Sequence, residues 1–279
     1  MEAGVTAKGG TLFVVSTPIG NMGDFSFRAV ETLRSVAAVL AEDTRHTRHL
    51  MERYEITTPL ISYHEHNEAK STPGLVARLL AGENLALVSD AGTPLLSDPG
   101  ARLVRAAIDA GLQVSPIPGA SALLAALVAS GLDIDRFTFY GFLPRKGGER
   151  RIVIDDIVRM GHAVVLYEAP SRVADTLAEL ARAGGGERAT VVARELTKQY
   201  EEVRRGTVTA LAAYYDDTPP RGEVVIVIAG QRPAEVTEDE LRARALELRA
   251  EGRSARDIVT VLTAELGAPR NLAYRLAHE

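Results

Sequence analysis

The chain has 279 residues, of which 46% are hydrophobic, and it carries a formal net charge of −5 and no cysteine. This composition supports a sizeable core, and the length favours two medium domains or one domain with a tail. The missing cysteines exclude disulfides, thiolate metal sites and a cysteine nucleophile. No apolar run approaches the roughly 20 residues of a membrane helix, so no membrane partner is expected. The polar, glycine-rich residues 1–10 predict a disordered leader rather than a signal peptide.

Strand-like and helix-like runs alternate along the first half of the chain. Short apolar runs at residues 11–16, 36–41, 60–63, 85–89 and 112–116 predict strands. Helical spacing appears at residues 44–54, 74–81 and 101–110. This βαβα order predicts a parallel sheet with helices on both faces. An apolar helix at 121–130 ends at Gly131, and a linker at 132–136 places a domain boundary there, which gives a first α/β domain at 11–131.

The second half predicts another α/β domain, at residues 132–234, with a mixed sheet. Strand-like runs occupy residues 137–142, 163–167, 190–194 and 224–229, and helices are predicted at 172–183 and 208–215. Residues 235–279 form a different segment, in which Thr237 and Glu240 make a capping box and Gly252 and Gly267 end successive helices. This tail of three short helices is interpreted either as a substrate-binding cap or as a packing appendage.

Three loops that contain proline and glycine come directly after predicted strands of the first domain. They read TPIGN at 17–21, DAGTP at 90–94 continuing into SDPG at 97–100, and PIPGAS at 116–121. Ligands of open α/β sheets bind at the carboxyl ends of strands, and glycine lets the backbone approach them closely. The pattern favours a ligand site over three ordinary turns. Neither G-x-G-x-x-G nor G-x-x-x-x-G-K-[ST] is present, so no nicotinamide site or P-loop is supported, and the residues alone do not identify the ligand.

Charged residues near the ends of predicted strands are further candidates for functional residues. Glu42 and Asp43 follow the second strand at its carboxyl end, which is a functional position in this fold class, although helix capping by Asp43 is an equal alternative. Glu195 and Lys198 follow a strand of the second domain, where a buried ion pair is the simpler explanation. Two groups of basic residues have two interpretations: they are either solvated surface residues or contacts to RNA. The first group is Arg145, Lys146, Arg150 and Arg151, and the second, weaker group lies around Arg45.

A histidine pair, His64 and His66, lies on one side of a predicted extended segment. A metal site would need a third and usually a fourth ligand, and the sequence offers none nearby, so no metal is expected. RNA contact or a polar domain interface is the favoured interpretation of this pair.

The runs SVAAVLAEDTRHTRHLM, ALVSDAGTPLLSDPGARLV and PIPGASALLAALVASGL resemble the ribosomal RNA small subunit methyltransferase I family of the tetrapyrrole methylase superfamily. The runs LFVVSTPIGNMGDFSFRA, FYGFLPRKGGERR, LYEAPSRV and ARELTKQYEEVRRG extend the resemblance from Leu12 to about Ala229. It implies two α/β domains of tetrapyrrole-methylase type with a cofactor cleft between them, followed by a helical tail. It also implies S-adenosylmethionine as cofactor, a homodimer, and methylation of a cytidine ribose 2′-hydroxyl in 16S ribosomal RNA of the small subunit. The absence of cysteine fits a location in the reducing cytoplasm, although it would suit any compartment.

The resemblance assigns the cofactor contacts by position, whereas the candidate bases and RNA contacts follow from the charged residues described above. The implied cofactor contacts are Pro18, Gly20, Gly92, Thr93, Leu96, Ser121, Ala122, Glu168, Leu196 and Gly222. The candidate general bases are Glu42, Asp43, Glu195 and Lys198, in no firm order, and Lys198 qualifies only if burial depresses its pKa. The expected RNA contacts are Arg45, His64, His66, Arg145, Lys146, Arg150 and Arg151.

Two other functions stay open at this point. A tetrapyrrole-precursor methyltransferase would keep the cofactor and change the acceptor, but the basic segment LPRKGGERR favours RNA. A non-catalytic RNA-binding ribosome-assembly factor would not need three glycine loops at one sheet edge.

Overall fold

The computed structural model describes residues 9–231 and 237–279, so residues 1–8 of the expected leader and the predicted boundary at 234/235 lie outside the described residues. Gly10, just before the first strand, is buried, and its N–H donates to the carbonyl oxygen of Leu79. The chain divides into two compact units, Met1–Ala229 and Gly230–Glu279. In its described residues, 9–229, the first unit contains two five-stranded sheets. The boundary between α/β domains at residue 131 stays a prediction, because both sheets belong to this one unit.

The first sheet is parallel throughout, as predicted. Its strands are β1 (Thr11–Val15), β2 (Ala38–Ala41), β3 (Leu60–Ser62), β4 (Leu85–Val88) and β5 (Gln113–Ile117), in the order β3-β2-β4-β1-β5. The helices that follow them in the chain are α1 (Phe27–Ser35), α2 (Thr44–Arg53), α3 (Glu68–Leu80), α4 (Ala101–Asp109) and α5 (Ala122–Ser130). Apolar clusters lie on both faces: Val15 and Val39 pack with α1 and α2, and Leu12 and Leu40 pack with α3 and α4.

The second sheet is mixed, as predicted. Its strands are β6 (Phe137–Phe142), β7 (Ala163–Glu168), β8 (Ala189–Arg194), β9 (Glu202–Thr207) and β10 (Val224–Ile228), in the order β6-β7-β10-β8-β9. Only the β6–β7 pair is parallel. Helices α6 (Gly148–Arg159), α7 (Val173–Leu180) and α8 (Val208–Asp217) cover one face. The sequence patterns did not predict β9 or α6.

Helix α5 covers the other face of the second sheet. Leu123, Ala126 and Leu127 pack against strand residues that include Val165 and Val225. Burying one leucine side chain contributes about 1.5–3 kcal/mol, so this contact is a substantial part of the core. Ile19, from the loop after β1, joins the same cluster. The loops at the carboxyl edge of the first sheet are therefore held against the second sheet.

Residues 237–279 of the second unit form a compact group of three helices: α9 (Glu238–Ala250), α10 (Ala255–Ala264) and α11 (Arg270–His278). The capping box of Thr237 and Glu240 is present at the start of α9, as predicted. Leu248, Ile258 and Leu276 belong to a separate apolar core that the three helices build among themselves. The apolar stripes of the tail are thus buried within the tail. Within the described part of the chain, no helix is long and apolar enough to cross a membrane.

Candidate active site

The three proline–glycine loops meet at one edge of the first sheet. The N–H of Thr17 donates to Gly92 O at 2.9 Å, and the N–H of Gly92 donates back to Thr17 O at 3.1 Å. The hydroxyl of Thr93 donates to Ala120 O at 3.2 Å, which joins the third loop to the second. Gly92 has a φ of +83°, and a Cβ there would lie 3.2 Å from Ile19 Cγ2. Glycine is favoured here because other residues rarely adopt this φ and because a Cβ would press against Ile19.

A cleft of about 440 Å³ lies between these loops and the second sheet. It is within the size range of small-molecule sites. Its walls comprise Ile19, Glu42, Asp90, Ala91, Gly92, Thr93, Leu96, Ser97, Asp98 and Ala122 from the first half, and Phe142, Tyr167, Glu168, Ala169, Pro170, Gly222, Glu223, Val224 and Val225 from the second. A smaller pocket of about 170 Å³ adjoins it and shares Ile19, Asp90, Ala91 and Glu223.

Most residues expected at the cofactor lie around these two cavities. Gly92, Thr93, Leu96, Ala122, Glu168 and Gly222 line the larger cleft. Pro18 and Gly20 line the smaller pocket. Ser121 and Leu196 line neither; Ser121 precedes the first turn of α5, and Leu196 is buried in the apolar cluster beside that helix. Sequence reasoning missed Phe142 and Tyr167, although both lie at the ends of strands that it predicted.

The loop backbones around the cleft are strained. Leu95 and Ser97 have φ values of +74° and +71°, and Glu195 and Thr197 have values of +50° and +66°. Residues other than glycine rarely adopt this conformation, and each such residue costs about 1–3 kcal/mol. Strain of this kind concentrates at functional sites, and here it falls in the DAGTPLLSDPG and ELTKQY segments that the resemblance singled out.

The side chains that line the cleft make it acidic. Glu42, Asp90, Asp98, Glu168 and Glu223 line it, and among the described residues its walls contain no lysine, arginine or histidine. Glu168 pairs with Arg172 and Glu223 with Lys198, so the charge of the cleft rests mainly on Glu42, Asp90 and Asp98. Burial raises the pKa of Glu42, and the nearby carboxylates of Asp90 and Asp98 raise it further. Burial also raises the pKa of Asp98, against a lowering by a hydrogen bond from Ser89. Such a cleft favours a cationic ligand and disfavours an anionic one.

The structure separates the four candidate bases. Asp43 accepts hydrogen bonds from the backbone N–H and the guanidinium of Arg45, which hold the pKa of this carboxyl far below its usual range. Asp43 is therefore the cap of α2, which is the alternative that the sequence left open. Glu42, one residue earlier, lines the cleft.

Glu195 and Lys198 form an ion pair at 2.9 Å, and Lys198 Nζ also lies 3.0 Å from Glu223 Oε2. Burial opposes the charge of Lys198, but its hydrogen bonds to Glu195 and Glu223 outweigh burial and raise its pKa. The depressed pKa that a lysine base requires is thus absent. The hydrogen bond from Lys198 lowers the pKa of Glu195. Both residues stabilise the loop against Gly222, where a Cβ would lie 2.1 Å from Glu195 Oε1.

The basic group after β6 splits into exposed and buried members. Arg145, Lys146 and Arg151 are exposed. The side chain of Arg150 is only 6% exposed, and its guanidinium pairs with Glu179 at 2.8 Å and donates to Thr176 Oγ1 at 2.9 Å. Arg150 is therefore not positioned for RNA, in contrast to the expectation. It supports the cleft instead, because Thr176 in turn donates to Glu168 Oε2 at 2.7 Å.

The other expected RNA contacts are mixed. Arg45 is exposed but paired with Asp43 at 2.8 Å. The rings of His64 and His66 lie 5.9 Å apart, edge to face. His64 is half-buried and His66 is exposed.

Residues 11–212 match the family model described as Tetrapyrrole (Corrin/Porphyrin) Methylases. A Synechocystis protein named Ribosomal RNA small subunit methyltransferase I is 47% identical over 273 residues, which cover 97% of this chain and 98% of that protein. The chain belongs to the ribosomal RNA small subunit methyltransferase I family. A Bacillus subtilis protein of this family is 41% identical over 276 residues, covering 96% of this chain and 94% of the relative. The resemblance carried by the sequence motifs is confirmed.

The fold that this family shares with other tetrapyrrole methylases is also confirmed. The structure of uroporphyrin-III C-methyltransferase from Thermus thermophilus complexed with S-adenyl homocysteine superimposes with a TM-score of 0.58. The two chains are 18% identical, and the superposition covers 79% of this chain and 97% of that one. At this identity the similarity is one of fold.

Proposed function

We propose that the protein is an S-adenosylmethionine-dependent methyltransferase that methylates the ribose 2′-hydroxyl of a cytidine in 16S ribosomal RNA. The observation that carries the proposal is the acidic cleft built from the family's three loops. Family membership supports the reaction class and the ribosomal substrate, because the relatives named above are small-subunit RNA methyltransferases.

The cleft fits S-adenosylmethionine in size and in charge. When bound, this cofactor supplies a methyl group on a positively charged sulfonium, which is already a good leaving group. The carboxylates of Glu42, Asp90 and Asp98 complement that charge. Gly92, which has no side chain to fill the space, and Thr93 form part of one wall, and Gly222 forms part of the opposite wall. Aligning the two reactants is worth about 7–11 kcal/mol and is the main task of such a site.

Glu42 is the residue best placed to accept the proton of the attacking hydroxyl. It lines the cleft, and its raised pKa brings its carboxylate closer in basicity to neutral pH. A positioned base of this kind contributes about 10²–10⁴ in rate. The proton would go to a carboxylate oxygen of Glu42, where burial beside Asp90 and Asp98 favours the neutral form.

The charge of the cleft also weighs against a tetrapyrrole acceptor. Porphyrin precursors carry several carboxylates, and Glu42, Asp90 and Asp98 would repel any that entered the cleft. RNA carries its charge on phosphates outside the reacting ribose, and Arg145 and Lys146, three and four residues after Phe142 of the cleft wall, are exposed. A non-catalytic assembly factor would need neither the cleft nor its strained loops.

The protein is further proposed to act in the cytoplasm, as a homodimer, on RNA within the small ribosomal subunit. Helix α5 supports a dimer: it buries one face on the second sheet and leaves Leu124 and Val128, one turn apart, 53% and 76% exposed. Such a pair on an apolar helix is typical of an interface.

A methyl-transfer assay tests the proposed function. Purified protein would be incubated with S-adenosylmethionine labelled on the methyl group and with small ribosomal subunits, naked 16S RNA or uroporphyrinogen III. We expect label in the RNA, recovered after nuclease digestion as 2′-O-methylcytidine and identified by mass spectrometry. Label on a base, or only in uroporphyrinogen III, would contradict the proposal. Calorimetric binding of S-adenosylmethionine without any transfer would leave only the cofactor assignment standing.

A further inference from the structure

The aromatic ring of Phe142 lies at the wall of the cleft and is partly exposed to solvent. Phe142 is 55% exposed and lines the cleft. Its ring meets that of Tyr167 edge to face, with centroids 5.7 Å apart, and Tyr167 meets Phe139 in the same way at 4.9 Å. A large apolar side chain that is held by neighbours and still half open to solvent is a stacking platform for a flat ligand.

A bulge in β6 brings Phe142 to this face. Side chains alternate along a strand, so Phe142 should point away from the face that carries Phe139. The pairing with β7 shifts between Phe139 and Gly141, however, and Phe142 lies opposite Tyr167. Gly141 has a φ of +63°, and a Cβ there would lie 2.8 Å from Ser97 Oγ. Bulges re-aim side chains next to active sites, and this one turns Phe142 into the cleft.

The segment after Phe142 is fixed by two guanidinium groups. Arg172 donates to the carbonyl oxygens of Leu143 and Pro144, both at 3.1 Å. Arg150 donates to Pro144 O, also at 3.1 Å. Phe142 is therefore held in place before any ligand arrives, and preorganised groups lose less entropy on binding.

Two cationic side chains without an ion-pair partner in the described part of the chain follow Phe142 closely in sequence. Arg145 and Lys146 are exposed, and among the described residues no carboxylate lies within ion-pair distance of either side chain. They are three and four residues from Phe142, on the segment that the two guanidinium groups hold. An apolar ring followed by free cations matches the chemistry of a nucleotide, with a base to stack and phosphates to neutralise.

We propose that Phe142 stacks on the base of the target cytidine and that Arg145 and Lys146 contact the adjoining phosphates. This proposal rests on the proposed RNA methyltransferase function and adds how the substrate is held. Where a target nucleotide is drawn out of the surrounding RNA structure, stacking on a protein aromatic ring offsets the lost base stacking.

The test compares substitutions of Phe142 that separate stacking from packing. Phe142→Leu fills similar space without an aromatic face, and Phe142→Tyr keeps the face. Phe137→Ala is the matched control, because Phe137 is 41% exposed at the opposite end of the same strand. Each variant would be assayed for melting temperature, calorimetric affinity for S-adenosylmethionine, and steady-state methylation of small subunits.

We expect Phe142→Leu to lower kcat/KM for subunits by about 5- to 150-fold, the range for loss of one base–aromatic contact. Its affinity for S-adenosylmethionine should stay within twofold of wild type. Phe142→Tyr should retain kcat/KM within about threefold, and Phe137→Ala should match wild type. An unchanged kcat/KM in a folded Phe142→Leu variant would overturn the proposal. A parallel loss of cofactor affinity would also overturn it, since the ring would then contact the cofactor. A wild-type protein that binds cofactor but does not methylate RNA would refute the proposed function itself.

Discussion

Replacing Arg150 by glutamine should destabilise the protein strongly, although the sequence places this residue in an apparently exposed basic run. Its guanidinium has three partners inside the protein: Glu179, Thr176 and Pro144 O. Removing one member of a buried ion pair costs about 3–5 kcal/mol, because the other groups lose their partner. Water reaches Glu179, whose side chain is 35% exposed, so a cost of about 3 kcal/mol is expected. At about 2–4 °C for each kcal/mol in a domain of this size, the melting temperature should fall by about 6–12 °C.

The matched control is Arg151→Gln, next in the chain and exposed. A surface substitution of this kind changes the free energy of unfolding by less than about 0.5 kcal/mol, so its melting temperature should stay close to wild type. Thermal unfolding of the two variants, followed by circular dichroism at one protein concentration, decides the matter. Equal melting temperatures would refute the assignment of Arg150 to the interior and return it to the surface basic group.

Four further outcomes are expected. Gly92→Val should weaken S-adenosylmethionine binding at least tenfold by calorimetry, whereas Gly111→Val, which has a similar positive φ but open space around it, should cost stability only. Glu42→Gln should lower kcat by about 10²–10⁴ without loss of stability at pH 7. The pKa of Glu42 is raised above 4.5 in the folded protein, so its negative charge destabilises the fold at neutral pH. Any stability that Glu42→Gln gains at pH 7 should therefore vanish as the pH falls below 4.5. A variant less stable than wild type at pH 7 would contradict this direction of the effect. Replacing Arg145 and Lys146 with glutamine should reduce the slope of log affinity for RNA against log salt by about 1.4 on single strands, and an unchanged slope would place the RNA elsewhere. Deleting the helical tail should leave a folded protein that binds cofactor and methylates subunits poorly; full activity or loss of folding would each reject that role.

The ligand loops could be predicted from sequence because their information is local. Each loop follows an apolar run at the carboxyl end of a parallel strand, and the topology brings such ends together. Thr17, Gly92 and Thr93 accordingly interlock as the pattern indicates. The resemblance then supplied what spacing could not, namely the identity of the ligand.

Features that depend on distant partners were not predictable. Strand β9 reads EVRRGT and lacks apolar alternation, yet it pairs with β8, where Glu202 lies directly opposite Arg194 and bonds to it at 2.7 Å. Cross-strand charge pairs of this kind stabilise a sheet without a hydrophobic pattern. Arg150 appeared solvated because Glu179, its partner, lies 29 residues away in the chain. Phe142 was missed because regular alternation places it on the wrong face, and the bulge at Gly141 is a consequence of the fold.

The negative charge of the cleft also bears on how the enzyme exchanges its cofactor. Transfer of the methyl group turns a cationic sulfonium into an uncharged thioether, so the attraction from Glu42, Asp90 and Asp98 ends with the reaction. The spent molecule is then held mainly by its adenosine and amino-acid parts, which are the same before and after. The site therefore distinguishes the cofactor from its demethylated product by one unit of charge. Lower ionic strength screens this attraction less, so it should strengthen binding of the cationic cofactor more than binding of the product. Inhibition by the product should therefore weaken as ionic strength falls.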